Sequence, residues 1–231
     1  MLEIKSLYFS YDKPENGYVL KNIDFAIDKE DSLALIGANG SGKTTLFLML
    51  TGLYKFKGDI IIDKLNLKKY DEKVLRKKIG IIFQNADEQL FMPTVYDELK
   101  LSLAQHYGFL DESKIDYYLK CFNIESLKFR KIENLSAGEK KKVALVSILI
   151  YSPDILLLDE PTAFLDLKGC SELIRIINEQ KITKIISTHN YFFAKECCNK
   201  ALLLKKGEIC AFDELDKIIS DKELLSKAEI I

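Results

Sequence analysis

The chain is 231 residues long and 48% hydrophobic, with 34 basic against 35 acidic side chains and a formal net charge of −1. That length and apolar content suit one compact domain with a buried core and exclude a disordered chain. The near-neutral balance supplies no overall field toward nucleic acid or anionic lipid, so nucleic acid is not an expected partner.

Residues 2–9 and 19–27 alternate or cluster apolar positions around Pro14, Asn16 and Gly17, the pattern of two antiparallel strands joined by a turn. The opening MLEIKSLYFSY alternates apolar and polar residues and does not read as a signal peptide. From Asp31 to Gly37 a short apolar run ends in glycine, followed by a glycine-rich loop and the helical-looking TTLFLMLTGL, so strand, loop and helix come in order. Further strands are expected at DIIID (59–63), KIGIIF (78–83), ILLLD (155–159), KIIST (184–188) and ALLLKKGEICAF (201–212). Several are continuous apolar runs, which belong in a sheet covered by helices on both faces and predict an α/β fold with a mainly parallel sheet. Between Asn85 and Asn134 only helical stretches occur, such as VYDELKLSLAQHYG and SKIDYYLKCF, predicting a helical lobe inserted into the sheet domain. The tail FDELDKIISDKELLSKAEII is expected to be amphipathic, with Leu215, Ile218, Ile219, Leu224 and Leu225 on one side. No run approaches the ~18 apolar residues that cross a bilayer, so work at a membrane would need another chain to span it.

The five cysteines, Cys121, Cys170, Cys197, Cys198 and Cys210, are odd in number and lack paired spacing, which fits a reduced compartment better than a disulfide framework or a zinc site. Cys197 and Cys198 are expected to be buried helix cysteines.

The chemistry starts at Gly37-Ala-Asn-Gly-Ser-Gly-Lys-Thr44, a match to GxxxxGK[ST]. Glycines let backbone amides turn inward around phosphate oxygens, which is the use of Gly37, Gly40 and Gly42. Asn39, Ser41 and Thr45 are expected to complete the cradle, Lys43 can reach the β- and γ-phosphates, and the Thr44 hydroxyl can ligate magnesium. The helix that follows presents its unpaired amides to the anion. At the end of the 155–159 strand stand Asp159 and Glu160, where ligands of open α/β sheets bind. Asp159 is expected to hold magnesium and Glu160 to position and polarise the water that attacks the γ-phosphate.

Around that pair the chain resembles the ATP-binding subunit of an ABC (ATP-binding cassette) system. Leu135-Ser-Ala-Gly-Glu139 resembles the LSGGQ signature, Tyr11 the aromatic residue that stacks on adenine, Gln84 the Q-loop glutamine, Ala163–Asp166 the D-loop and His189 the switch histidine. The resemblance implies one ABC-type P-loop NTPase cassette over 1–231. Residues 1–84 and 152–231 would form a RecA-like core with an N-terminal antiparallel β subdomain, and 85–151 a helical subdomain carrying the signature helix. It also implies ATP and Mg2+ as ligands, with Thr44, Gln84 and Asp159 at the metal and Glu160, His189, Lys43 and Gln84 catalytic. A second cassette would pair head to tail, in a homodimer or heterodimer, its Ser136 and Gly138 binding the γ-phosphate held by Lys43. This sequence departs from the family at Ala137, whose methyl is expected to crowd the phosphate and resist a left-handed backbone. It departs again at Glu139, a carboxylate beside an anion, and at Asn190, which follows His189 where aspartate is common.

After Gln84 the chain continues NADEQLFMPTVYDEL, which resembles the FQNPDDQLF…PTV…D segment of energy-coupling-factor importers. In that family the stretch meets a transmembrane coupling subunit, which implies contacts from Gln89, Leu90, Phe91 and Met92 and a peripheral place on the cytoplasmic face of the cell membrane. Such importers take up vitamins or transition-metal ions. The alternatives are a soluble ABC ATPase outside transport and a regulatory cassette with weak turnover.

Overall fold

The computed structural model describes residues 1–12, 17–108 and 110–230, the side chains at 106 and 107 aside. Strand β1 (Leu2–Phe9) pairs antiparallel with β2 (Leu20–Ile27) on one side and with β4 (Lys57–Ile62) on the other. The two-residue β5 (Leu65–Asn66) closes a sheet of order β2-β1-β4-β5. The turn expected at Pro14 and Asn16 lies outside the described residues. The 59–63 segment thus joins this antiparallel sheet and not the parallel one. Ile60 and Ile62 are fully buried while Ile61 is only partly so, the alternation of a strand with one face on a core.

The second sheet has the order β10-β9-β3-β8-β7-β6, made of β3 (Ser32–Ile36), β6 (Ile79–Ile82), β7 (Ile155–Asp159), β8 (Thr183–Ser187), β9 (Lys200–Lys205) and β10 (Glu208–Glu214). From β9 to β6 all neighbours run parallel, and β10 returns antiparallel along β9. Residues 201–212, expected as one strand, are therefore a hairpin. Lys206 and Gly207 both adopt left-handed backbone (φ 49° and 81°), the two-residue turn whose twist matches paired strands. A side chain at Gly207 would collide with the Val19 carbonyl oxygen, so glycine is required there by contact as well as by φ.

The apolar runs in the parallel strands have a direct cause. Ile155 and Leu157 of β7 face one cluster with Leu33, Leu35, Leu46 and Phe47, while Leu156 and Leu158 face another with Leu173, Ile176 and Phe193. Helix α1 (Lys43–Leu50) supplies the first cover, and α6 (Leu167–Glu179) with α7 (Tyr191–Cys197) the second. Cys197 is buried at the end of α7, where burial pushes its thiol up to about 12 and keeps it unreactive at neutral pH.

Helix α2 (Glu72–Lys78), capped by Asp71, leads into β6. Between β6 and β7 come α3 (Val95–Tyr107), α4 (Glu112–Cys121) and α5 (Ala137–Leu149), each started by a side-chain cap, Thr94, Asp111 and Ser136 in turn. Their inner faces, including Leu99, Leu103, Leu119 and Val146, share one core cluster with Phe122 after α4 and with Ile82, Leu156 and Leu158 of the sheet. At about 1.5–3 kcal/mol for each fully buried leucine-sized side chain, this shared core fastens the helical layer to the sheet. The tail forms two short helices and not one: α8 (Leu215–Ser220) and α9 (Lys222–Lys227) are divided by Asp221, which caps α9. Leu215, Ile218, Ile219, Leu224 and Leu225 nonetheless pack into one cluster against β3 and β9. Among the described residues no helix is long and apolar enough to cross a membrane.

Candidate functional site: a phosphate cradle at the carboxyl ends of β3, β7 and β8

Sheet register assembles the site. Leu35 of β3 is paired with Ser187 of β8, and Ser187 with Asp159 of β7, so these three residues lie in one row across the sheet. Just beyond that row come Gly37, His189 and Glu160, at the strand ends where an open parallel sheet leaves its crevice. A cleft at this place is lined by Val19, Asn39, Gly40, Gly42, Lys43, Thr44, Thr45, Gln84, Asp159 and Glu160. Gln84, two residues past the end of β6, enters it from the strand beyond β7.

The loop between β3 and α1 turns on Gly40 (φ 75°) and Gly42 (φ 109°), the latter being the N-cap of α1. A side chain at Gly37 would collide with the Leu204 carbonyl oxygen and with Ser41 Oγ, so the loop is packed against β9 from below. Lys43 is only 8% exposed; its ammonium donates to the carbonyl oxygens of Gly37 (2.6 Å) and Ala38 (3.2 Å). Burial pushes its pKa down while the charges of Glu160 and Asp159 pull it up. Thr44 Oγ1 donates to Asp159 Oδ2 at 2.8 Å, and Ser187 Oγ donates to Asp159 Oδ1, so both carboxylate oxygens are held.

Glu160 has a left-handed backbone (φ 42°), uncommon for a side chain of this size. Its amide donates to the Ser187 carbonyl oxygen (3.0 Å) and lies 3.2 Å from Ser187 Oγ, contacts that hold the turn. One side-chain oxygen, Oε2, accepts from the His189 amide at 3.3 Å. The other, Oε1, lies 3.3 Å from His189 Nε2 without the alignment of a hydrogen bond, and is buried with no hydrogen-bond partner among the described residues. Around His189 Nε2 stand Asn39 Oδ1 at 3.2 Å and Lys43 Nζ at 3.5 Å. With Asn39 Oδ1 as the aligned oxygen acceptor and the ammonium already bonded to carbonyls, the tautomer with the proton on Nε2 is favoured. The strained Glu160 backbone, its unpaired Oε1 and the nearby imidazole form an acceptor poised at the mouth of a phosphate cradle.

Those orphaned atoms test the fit of a nucleotide. Ser41 Oγ is likewise buried without a partner among the described residues. A glycine loop leading into the start of α1, a buried ammonium and an unpaired hydroxyl match a polyphosphate, and Thr44, Asp159 and Gln84 offer the hydroxyl, carboxylate and amide oxygens that Mg2+ takes. Tyr11 OH lies 3.1 Å from Thr45 Oγ1, and its ring packs edge-on to Phe9 and Tyr54 with centroids 4.8 and 5.6 Å apart. Tyr11 and Tyr54 are both exposed, so Tyr54 joins an aromatic shelf beside the cradle that motif spacing did not reveal.

Ser136 and Gly138 are not among the residues lining this cleft. They stand at the start of α5, where Ser136 and Glu139 form a reciprocal capping box. The Ser136 amide and hydroxyl donate to Glu139 Oε2 (2.7 and 2.9 Å), and the Glu139 amide donates back to Ser136 Oγ (3.3 Å). Glu139 is thus bound to Ser136, with Arg130 3.6 Å from its other oxygen. Ala137 is the first helical residue of α5, so the left-handed conflict expected there does not arise. Gly138 has open space, only Leu165 coming near an added Cβ at 3.7 Å. Within 163–166, Phe164 is 72% exposed and Asp166 caps α6. Asn190, in the place of the common aspartate, caps α7 by accepting from the Phe193 amide at 3.0 Å.

The segment after Gln84 corrects one expectation. Leu90 is buried in the core and Gln89 Oε1 accepts from the Phe83 amide at 3.3 Å, so neither is a free apolar contact. Phe91 is 77% exposed, and the carboxylate of the buried Glu98 accepts from the Phe91 and Met92 amides at 2.9 Å each, holding that loop in shape.

The model of a family described as "ABC transporter" matches residues 20–163, more than half of the chain. The chain belongs to the ABC transporter family. A provisionally named ABC transporter ATP-binding protein of Archaeoglobus fulgidus is 39% identical, over 96% of this chain and 94% of that one. The energy-coupling factor transporter ATP-binding protein EcfA of Methanococcus maripaludis is 36% identical, over all of this chain and 85% of its own. The structure of cbiO1 from Clostridium perfringens, part of the ABC transporter complex cbiONQ, superposes with a TM-score of 0.83 at 33% identity, covering 99% of this chain and 94% of that one. This ABC protein is an ATP-binding, ATP-hydrolysing subunit of a transporter, built on the P-loop cassette fold.

Proposed function

We propose that this cassette powers an importer of the energy-coupling-factor type, taking up a vitamin or a transition-metal ion, as a peripheral subunit on the cytoplasmic face of a membrane. The observation that carries the reading is Phe91, an aromatic ring left exposed on a loop whose two amides are fixed by a buried carboxylate. Such an anchor suits a groove in a protein partner. The likeness to EcfA of Methanococcus maripaludis and to cbiO1 of the cbiONQ complex supports the same subtype.

In this reading Lys43 and the loop amides hold the β- and γ-phosphates, and the shelf of Tyr11 and Tyr54 carries the adenine. Glu160 Oε1 accepts a hydrogen bond from the attacking water and aligns it with the γ-phosphorus, while His189 Nε2–H donates toward the developing oxyanion. Bound at Thr44, Asp159 and Gln84, Mg2+ would neutralise charge on the phosphate oxygens. The proposed division of 1–84 and 152–231 against 85–151 is supported by the place of α3, α4 and α5 between β6 and β7. Because Ser136 and Gly138 lie outside their own chain's cleft, a second cassette, identical or related, pairs head to tail and presents them to the γ-phosphate.

Copurification from solubilised membranes tests this. Phe91→Ala is expected to bind ATP like the parent but to lose a transmembrane partner that the parent recovers. Recovery of that partner undiminished by Phe91→Ala would overturn the assignment.

A further inference from the structure

Lys141 stands in the second turn of α5 and is only 3% exposed, yet among the described residues it makes no ion pair. Its ammonium donates to two backbone oxygens, Gln84 at 2.7 Å and Phe83 at 3.0 Å. A cation taken out of water is costly unless its donors are used, so this arrangement fixes the two carbonyls as firmly as they fix the lysine. The same segment is tied twice more. Lys140 reaches Asp87 at 2.6 Å, and the Phe83 amide is taken by Gln89 Oε1. Ser136 lies on the same helix about 7.5 Å away, at the 1.5 Å rise of an α-helix.

We propose that Lys141 is a positioning residue that fastens the Gln84 turn to helix α5 and so holds the Gln84 side chain in the cleft. This rests on the reading of Gln84 as a group at the metal.

The test compares Lys141→Met, which keeps the aliphatic stem and removes the donors, with Lys141→Arg, which keeps them. Affinity for a fluorescent ATP analogue without metal, the thermal midpoint, kcat and the Mg2+ concentration giving half-maximal turnover are measured for each. Lys141→Met is expected to bind the analogue like the parent while kcat falls about tenfold or more and the Mg2+ half-saturation rises, the size seen when groups orienting metal ligands are lost. Lys141→Arg is expected to restore most of both. A Met variant with parental kcat and Mg2+ dependence overturns the proposal, as does an Arg variant no better than Met. Should the Met variant fail to fold, Lys141→Leu, which also lacks a donor, carries the comparison: low turnover with parental analogue binding supports the link and parental turnover overturns it. Gln84→Ala tests the underlying reading separately, since unchanged Mg2+ dependence in that variant removes Gln84 from the metal whatever Lys141 does.

Discussion

At the residue scale, the start of α5 shows how a substitution in a motif changes its chemistry without breaking its shape. Glu139 takes two hydrogen bonds from Ser136, which hold its carboxyl below the usual carboxylate range, first through the Ser136 amide and then through its hydroxyl. The sign of the pH effect follows from a depressed folded pKa. The link contributes its full stabilisation above the unfolded value of 4.5 and loses it as pH falls through the lower folded value. The thermal midpoint of the parent is therefore expected to fall more steeply than that of Glu139→Gln below that pH. Parallel curves would show that Ser136 does not depend on the charge. Glu139 was legible as an acid beside an expected anion site. Its grip on Ser136 was not, because a capping box is recognised only once the helix start is known, and Ala137 read as a misfit for the same reason.

At the scale of elements, the cradle depends on the packing of the loop between β3 and α1 against β9. Gly37→Ala is expected to destabilise the fold by about 1–3 kcal/mol, the usual cost of forcing an atom into filled space, and to lose nucleotide binding. Urea unfolding with nucleotide titration measures both, and parental behaviour in each would contradict the contact with Leu204 and Ser41. Strand, loop and helix were legible here because β3 is a short apolar run that ends at the first glycine of a phosphate pattern. Three other elements were not. The 201–212 run hid a hairpin, since Lys206 adopts a left-handed backbone that its side chain does not announce. DIIID carried nothing in its periodicity to say which sheet it would join, a matter of pairing with β1 far away in sequence. The tail split at Asp221 because one side chain serves as the cap of a new helix.

At the scale of the whole molecule, the sheet collects Lys43, Asp159, Glu160 and His189 at three strand ends, while α5 carries Ser136 and Gly138 elsewhere. The first group was legible because each member follows an apolar strand in a fixed motif. Lys141 was not, because a lysine in a run of three reads as a solvated helix face until Phe83 and Gln84 are seen beneath it. Leu90 read as a surface contact because the segment resembles one that meets a partner in its family, and nothing in that resemblance says which side chain turns into the core. In the proposed head-to-tail pairing one chain is an incomplete enzyme, with ATP as the joint between two. The most direct measurement is the solution mass of Glu160→Gln by light scattering, with and without ATP, alongside its turnover. The variant is expected to bind ATP, to hydrolyse none and to double its mass when ATP is present, the doubling being lost in Glu160→Gln combined with Ser136→Arg. A mass that ATP leaves unchanged would contradict pairing between identical cassettes, and turnover at the parental rate would contradict the role of Glu160.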